Sequence, residues 1–224
     1  MEGLTLVIAN KNYSSWSMRP WVLLTQLGIP FEERMLRFDS DGWDAGIGRW
    51  SPSGLVPVLW RERVAVWDSL AIMETVAEWF PGKAVWPADP VARAFARSAT
   101  AEMHAGFRNL RSKMPMNIRA SLPGKGMTPE VRADVDRIET LWQEARSRFG
   151  AGGDFLFGAF SAADAMFAPV VMRLATYGVA CAPASQRYCE AVKAASGVRA
   201  WIEGALAETQ FVAEDEPYAD PPPP

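Results

Sequence analysis

Three serines, Ser14, Ser15 and Ser17, lie in a polar segment that follows the apolar residues 4–9 and precedes a helical pattern. In an open α/β sheet, ligands bind where strands end and helices begin. The free N–H groups and the positive partial charge of a helix N-terminus favour an anion there. Because serine is also a preferred N-cap, these residues fit an anion site and a simple helix cap about equally well.

Two further pairs of residues could contact a ligand. Pro57 begins a predicted strand and cannot donate a ladder hydrogen bond, which fits either an edge strand or a cis peptide bond after Val56. In the cis case, Val56 could offer its N–H and C=O to a peptide-like ligand, as an added strand does. Asp68 and Ser69 begin a later helix, where they either cap it, with Ser69 as a good N-cap, or hold the charged end of a ligand.

Another serine, Ser161, stands three residues before Asp164 and begins an apolar helical pattern. This spacing is that of a capping box, with aspartate in place of the usual glutamate or glutamine. We expect a structural role for the pair and no contact with a ligand.

The elements that must position these residues change character along the chain. Strands are predicted over residues 4–9, 30–36, 56–60 and 64–67, and helices over 20–27, 40–53 (irregular) and 70–80. Only helical patterns follow, over residues 91–117 with a break near Pro115, 129–149, 162–177, 184–195 and 198–209. The order predicts an α/β domain over residues 1–81, a linker over 82–90, and an all-helical domain over 91–224. The acidic, proline-rich tail, residues 214–224, is expected to be either a mobile end or a strap over the surface.

The composition excludes several classes of protein. The chain has 224 residues, 49% of them hydrophobic, and a net charge of −3, so it carries no basic field for nucleic acid or an anionic membrane. No signal peptide and no apolar run of about 18 residues is visible. The two cysteines, Cys181 and Cys189, form neither a CxxC pair nor a metal set. We therefore expect a cytoplasmic protein without a metal ion.

These signals in this order resemble the soluble (cytosolic) glutathione transferase superfamily over essentially the whole chain. The motifs that carry the resemblance are Ser14-Ser15-Trp16-Ser17-Met18-Arg19, Val56-Pro57, Asp68-Ser69-Leu70-Ala71-Ile72 and Ser161-Ala162-Ala163-Asp164. The first is nearest to the bacterial-type, serine-type zeta class (maleylacetoacetate isomerase-like), whose loop reads Ser-Ser-Cys-Ser-x-Arg. The resemblance implies a thioredoxin-like domain with a mixed four-stranded sheet (βαβ-ββα), followed by an all-α bundle.

The resemblance also implies a role for each motif. Ser14 would hold the sulfur of glutathione, with Ser15 as the alternative. Val56, before a cis Pro57, would pair with the cysteinyl backbone, while Asp68 and Ser69 would hold the γ-glutamyl end. The remaining residues implied for glutathione binding are Trp16 and Ser17. Trp16 stands where zeta enzymes have cysteine, and the Arg that holds a carboxylate in zeta isomerases would fall near Thr176, one turn after Arg173.

The second substrate, a small electrophile, is expected against the long helix of residues 91–117. Met103, His104, Phe107 and Arg111 recur there at three- and four-residue spacing, although such a stripe fits a hydrophobic core equally well. The resemblance implies a homodimer and glutathione as co-substrate.

A thiol like that of free Cys is only about 3% ionised at pH 7, and a serine hydroxyl and a helix N-terminus both favour the reactive thiolate. The predicted function is addition of this thiolate to the electrophile. Two alternatives stay open: glutathione-dependent cis–trans isomerisation, and a non-catalytic binding module. A thiol-transfer enzyme would need a cysteine in the first loop, and the single histidine, His104, argues against a Ser-His-Asp hydrolase.

Overall fold

The computed structural model describes residues 3–219 of the chain. Its first half contains β1 (Leu4–Ile8), α1 (Ser15–Gln26), β2 (Phe31–Met35), α2 (Asp41–Trp50), β3 (Val58–Arg61), β4 (Val64–Trp67) and α3 (Ser69–Trp79). The four strands form one sheet in the order β2-β1-β3-β4. The β1 strand is parallel to β2 and antiparallel to β3, and β3 is antiparallel to β4. This is the mixed four-stranded, thioredoxin-like sheet that was predicted.

The second half is helical, as predicted. Its elements are α4 (Pro90–Ala105), α5 (Arg108–Lys113), α6 (Pro129–Phe149), α7 (Ala162–Thr176), α8 (Pro183–Ala194) and α9 (Ser196–Leu206), followed by a short 3-10 turn at Ala213–Asp215. Thr128 caps α6 by accepting a hydrogen bond from the backbone N–H of Val131. The boundaries proposed for the two domains and the linker stay a prediction.

The first helix begins earlier than its sequence pattern suggests. Pro20 was expected in the first turn, where a missing N–H costs nothing, yet α1 starts at Ser15 and holds Pro20 in its interior. Residues 17–24 of this helix are all buried, and α1 packs against both α7 and α9. Tertiary packing therefore extends the helix, and the serine segment forms its first turn.

Two other expectations about helix ends were wrong. The helical pattern over residues 91–117 was expected to be continuous up to Pro115, but α4 ends before Gly106, and Phe107 adopts a left-handed conformation with φ 53°. The break expected near Pro115 is also present, since α5 ends at Lys113. A Cβ at Gly106 would lie 2.7 Å from the carbonyl oxygen of Glu102, so glycine fits this turn. The N-cap of α3 is Asp68 and not Ser69, because the Asp68 carboxylate accepts from the N–H groups of Leu70 and Ala71.

One apolar cluster runs through both halves of the chain. It contains β1 and α1 residues such as Ile8 and Val22 together with Phe167 of α7 and Trp201 of α9, all fully buried. Nearly every residue of α7 is buried, so this helix forms the centre of the molecule. The segments at the end of β1 and the start of α1 are therefore held against a rigid core.

The C-terminal segment, residues 207–219, lies across the start of the chain, and we call it the strap. The Glu208 carboxylate accepts from the backbone N–H groups of Lys11 and Asn12, at 2.7 and 3.0 Å. Farther along, the Tyr218 hydroxyl donates to the carbonyl of Lys113 at 2.7 Å. Of the two expectations for the tail, the described part fits the strap. Residues 220–224, with the four final prolines, lie outside the described residues, as do residues 1–2 of the predicted first domain.

Candidate functional site

A cavity of about 320 Å³ opens at the start of α1, between the sheet and the helical half. The residues that line it are Tyr13, Ser14, Ser15, Trp16, Phe38, Trp43, Leu55, Val56, Arg111, Pro115, Met116, Arg173 and Asp215. The structure thus brings together Ser14, Ser15, Trp16, Val56 and Arg111 of the residues singled out in the sequence. It adds two charged residues, Arg173 and Asp215, from the far end of the chain.

The N-terminus of α1 lacks a side-chain cap. Ser14 occupies the N-cap position, but its hydroxyl makes no hydrogen bond to the helix backbone. Within residues 3–219, the N–H groups of Trp16 and Ser17 have no hydrogen-bond partner. Trp16 lines the cavity and Ser17 does not, so this helix start offers the N–H of Trp16 to an anion in the cavity. The positive end of the helix dipole adds partial positive charge at the same place.

The hydroxyl of Ser14 is instead engaged by Ser17. Ser14 Oγ donates to Ser17 Oγ at 2.7 Å, and Ser17 Oγ also accepts from the backbone N–H of Ala9 at 3.2 Å. Ser17 is completely buried and does not line the cavity. Ser17 is therefore not placed to contact glutathione, although the resemblance had implied this contact. Its hydroxyl instead connects the first turn of α1 to the end of β1.

Ser15 is held by two buried arginines. Arg173 Nη2 donates to Ser15 Oγ at 3.1 Å, and Arg19 Nη1 donates to the carbonyl oxygen of Ser15 at 3.2 Å. Arg173 is fixed by a further bond from Nε to the carbonyl of Met114 at 2.9 Å. Burial, and then the charge of Arg111, lowers the pKa of Arg173 to about 10, so it stays protonated at neutral pH.

Trp16 lies among two guanidinium groups and an imidazole ring. The guanidinium of Arg19 is 3.9 Å from its ring centre, that of Arg111 is 5.4 Å away, and the His104 ring meets it edge-on at 5.2 Å. Within the described range, the side chain of Arg111 makes no hydrogen bond or ion pair. Burial, followed by the charge of Arg108, lowers the pKa of Arg111. An unpaired, partly desolvated cation at the cavity wall favours an anionic ligand.

Val56 faces the serines across the cavity. The Val56–Pro57 peptide bond is cis, as predicted, and Pro57 is buried behind it. Among the described residues, neither the N–H nor the C=O of Val56 has a hydrogen-bond partner. Val56 is therefore available to pair with an extended peptide-like ligand.

Asp68 and Ser69 lie beside the cavity rather than on its wall. Oδ1 of Asp68 caps α3, and Oδ2 is 2.7 Å from Nε2 of His104. His104 was expected to face the second substrate, but it is engaged by Asp68 and is not among the lining residues. Ser69 is 1% exposed, and its hydroxyl has no partner within residues 3–219.

Two residues expected to contact the second substrate belong to the core. Met103 is completely buried, Phe107 is 8% exposed, and neither lines the cavity. The helical stripe on which both were placed ends at Ala105, so the three- and four-residue spacing does not continue to Arg111 on one face. Of the four residues in that prediction, the structure places only Arg111 at the cavity.

Sequence reasoning missed Asp215 and gave Arg173 no contact with the serines. Asp215 comes from the strap and is the only carboxylate among the lining residues of the described range. Burial raises its pKa to about 6, although Arg173 opposes this shift. Both residues meet the serine segment only through long-range packing, so no local motif could have placed them there.

The described residues contain no group of three or more His, Cys, Asp or Glu side chains able to hold a metal ion. No helix between residues 3 and 219 combines the length and the apolar character needed to cross a membrane.

Two family models and a curated relative match the sequence of this chain. Residues 13–79 match the family model for the N-terminal domain of glutathione S-transferase, and residues 128–204 match that for its C-terminal domain. A curated relative, Protein IN2-1 homolog A of Oryza sativa subsp. japonica, is 26% identical over 166 residues, which is 74% of this chain. That match spans 63% of the relative's own length.

Solved structures share the fold. A glutathione transferase homolog from Burkholderia gl BGR1, with bound glutathione, is 24% identical with a TM-score of 0.69, covering 92% of this chain and 100% of its own. A diazinon-metabolizing glutathione S-transferase of the silkworm Bombyx mori is 17% identical with a TM-score of 0.71, covering 91% of this chain and 97% of its own.

Proposed function

The chain belongs to the glutathione transferase superfamily, and from this premise we propose that it binds glutathione at the N-terminus of α1 and adds the glutathione thiolate to a small anionic electrophile. The observation that carries the proposal is the uncapped start of α1, where Ser14 and Ser15 line a cavity opposite the unpaired backbone of Val56. A thiolate there would receive a serine hydroxyl, the free N–H of Trp16 and the helix dipole.

The peptide part of glutathione fits the groups beside the serines. The free N–H and C=O of Val56 match the two groups of a cysteinyl residue, as in strand addition. The unpartnered hydroxyl of Ser69 can donate to the γ-glutamyl carboxylate. Asp68 would give up His104, or share Oδ2 with it, to bind the ammonium group. The Burkholderia homolog, whose structure contains bound glutathione, supports glutathione as the ligand.

The electrophile is selected by Arg111. This side chain lines the cavity without a partner among the described residues, and its cation over Trp16 can bind a carboxylate or a similar anion. The same feature favours a second candidate function, cis–trans isomerisation of an unsaturated diacid. In that reaction the thiolate adds to the double bond, the new single bond rotates, and the thiolate leaves again.

The remaining assignments follow from the family. We expect a cytoplasmic homodimer, and zeta remains the predicted class although Trp16 replaces its cysteine. Sedimentation at micromolar concentration tests the oligomeric state, and a stable monomer would contradict it.

Calorimetric titration with glutathione tests binding. Activity assays with carboxylated electrophiles and their neutral analogues then test the proposed reaction. We expect a Kd in the micromolar to millimolar range and turnover on at least one electrophile. Failure to bind glutathione at millimolar concentration would refute the proposal. Binding without turnover on aryl halides, epoxides, enones or unsaturated diacids would instead favour a binding module.

Arg111→Gln tests the acceptor class. It should raise the KM of a carboxylated acceptor about tenfold or more, because an ion pair with a charged group contributes roughly 1.5–3 kcal/mol. The KM of a neutral analogue and that of glutathione should change little. Arg108→Gln is the matched control, since Arg108 lies on the same helix, is exposed and does not line the cavity. Equal effects on charged and neutral acceptors would contradict the assignment.

A further inference from the structure

The two adjacent serines at the cavity are not equivalent. The proton of Ser14 is donated to Ser17 Oγ at 2.7 Å, so in this arrangement it is not offered to the cavity. Ser15 Oγ accepts from Arg173 Nη2 at 3.1 Å, and its own proton has no acceptor among the described residues. A hydroxyl has one proton and two lone pairs, so Arg173 occupies a lone pair and leaves the proton free.

Resting on the proposed function, we propose that Ser15, and not Ser14, donates to the glutathione sulfur, and that Arg173 is the positioning residue that orients and polarises the Ser15 hydroxyl. A hydroxyl that accepts from a cation becomes a stronger donor, because linked hydrogen bonds polarise one another. The preferred acceptor for such a proton is an anion, and a thiolate in the cavity meets that requirement.

Arg173 is built to hold Ser15 rather than to bind a substrate. Its Nε donates to the carbonyl of Met114 at 2.9 Å, and Nη1 lies 3.4 Å from that of Pro169. The side chain is only 4% exposed, so these carbonyls fix the fork in one orientation. Arg111, by contrast, has no hydrogen-bond partner in the described part of the chain. The two arginines of the cavity thus have different roles: Arg173 orients the serine that contacts the sulfur, and Arg111 binds the electrophile.

Arg19 and Asp215 complete this arrangement. Arg19 donates to the carbonyl oxygen of Ser15 and so fixes its backbone, while Arg173 fixes its side chain. Asp215 approaches Arg173 from the strap, and its charge favours the protonated guanidinium. Both the hydroxyl and the carbonyl oxygen of Ser15 therefore accept from an arginine, whereas neither group of Ser14 does.

Titration of the thiolate absorbance of the glutathione complex tests the assignment. Ser15→Ala should raise the pKa of bound glutathione by about one unit or more, a tenfold loss of thiolate at a fixed pH below it. Ser14→Ala should shift it by less than about a third of that. A shift in Ser14→Ala with none in Ser15→Ala would overturn the proposal while leaving glutathione binding intact.

A double-mutant cycle tests the role of Arg173. Arg173→Gln should raise the same pKa and lower kcat more than it raises the KM of glutathione. In Ser15→Ala/Arg173→Gln, the pKa should rise no further than in Ser15→Ala alone. Additive shifts would show that Arg173 acts directly on the sulfur, which overturns the positioning role. Arg187→Gln, which removes an exposed arginine of α8, is the charge control and should leave the pKa unchanged.

The comparison of Ser15→Ala with Ser14→Ala identifies the serine that contacts the sulfur, even if Arg173→Gln does not fold. Arg173→Lys then replaces it, with the same expected rise, because one ammonium group cannot reproduce the fork that reaches both Met114 and Ser15. If wild type shows no thiolate band that depends on glutathione, the proposed function fails and the Ser15 assignment fails with it. If the wild-type protein shows the thiolate band and its pKa is the same in every variant, the roles of Ser15 and Arg173 are refuted while the proposed function stands.

Discussion

The helices α1 and α7 both begin after a serine, Ser14 and Ser161, and both have a hydrogen-bonding side chain three residues later. Only at α7 do these two residues form a capping box. Asp164 accepts from both the N–H and the hydroxyl of Ser161, at 2.9 and 3.0 Å. The Ser161 side chain in turn accepts from the backbone N–H of Asp164, and the two reciprocal contacts form a capping box. At α1, Ser17 has no carboxylate and binds Ser14 through its hydroxyl. The N–H of Trp16, at the cavity wall, is therefore left to an external ligand.

The two helix starts also differ in burial: that of α7 is enclosed, and that of α1 faces a cavity. The start of α7 is buried, and Asp164 is completely enclosed, with Leu156 and Tyr188 donating to it as well. The start of α1 opens on the cavity, with Arg173 and Arg111 in its wall. A satisfied helix start stabilises the fold, and an unsatisfied one at a cavity is available for function. Variants at the two sites should therefore separate stability from activity.

The largest effect on stability is expected at the closed helix start. Asp164→Ala leaves the buried donors of Leu156, Ser161 and Tyr188 without an acceptor, at about 1–3 kcal/mol for each unsatisfied group. We expect the free energy of unfolding to fall by at least about 3 kcal/mol, measured by urea denaturation. The Kd of glutathione for the folded protein should change less than about twofold.

Asp164→Asn is the matched control for this variant. It keeps a carbonyl oxygen in place and should lose less stability than Asp164→Ala. A loss below about 1 kcal/mol in Asp164→Ala would contradict the contrast between the two helix starts.

A smaller loss is expected at the open helix start. Ser17→Ala removes the acceptor for the buried N–H of Ala9, so stability should fall by about 1–2 kcal/mol. It also releases the Ser14 hydroxyl, which can then cap α1 and compete with glutathione, so the affinity for glutathione should fall too. Ser98→Ala, at an exposed serine of α4, should change neither quantity. Lost stability with unchanged affinity would argue against the competition.

The smallest effect is expected in the strap that covers the open site. The pKa of Asp215 is raised from 3.8 to about 6 by burial, so docking of the strap favours the protonated acid. This contribution to docking is complete below about pH 4 and is lost as the pH rises through 6. Amide hydrogen exchange of residues 207–219, corrected for its intrinsic pH dependence, should report weaker protection at pH 7 than at pH 5. The difference should be smaller in Asp215→Asn; an equal difference in both proteins would exclude Asp215 as its source.

Local signals predicted the parts of the fold that local interactions determine. The helix α6 spans Pro129–Phe149, the range that its helical pattern predicted, and the capping box of α7 was recognised from its spacing. Pro20 misled the prediction of α1, because packing against α7 and α9 decides where that helix begins. The turn at Gly106 was missed since a single glycine gives little signal in a helical pattern.

The candidate site was predictable mainly on its sheet side, and on the helical side only Arg111 was correctly placed at the cavity. Ser14, Ser15 and Val56 could be singled out because each stands at the junction of two elements. The cationic side of the cavity depends on pairs such as Ser15 and Arg173, which are 158 residues apart in the chain. No spacing rule connects residues at such separations, and the same holds for Asp215 on the strap.

The most direct test of the account is the pKa of glutathione bound to the wild-type protein, measured from its thiolate absorbance as a function of pH. The open start of α1 should stabilise the anion, so the apparent pKa should lie at least one unit below that of a free cysteine thiol, about 8.5. Saturable binding with an unshifted thiol pKa would contradict the claim that this helix start activates the sulfur.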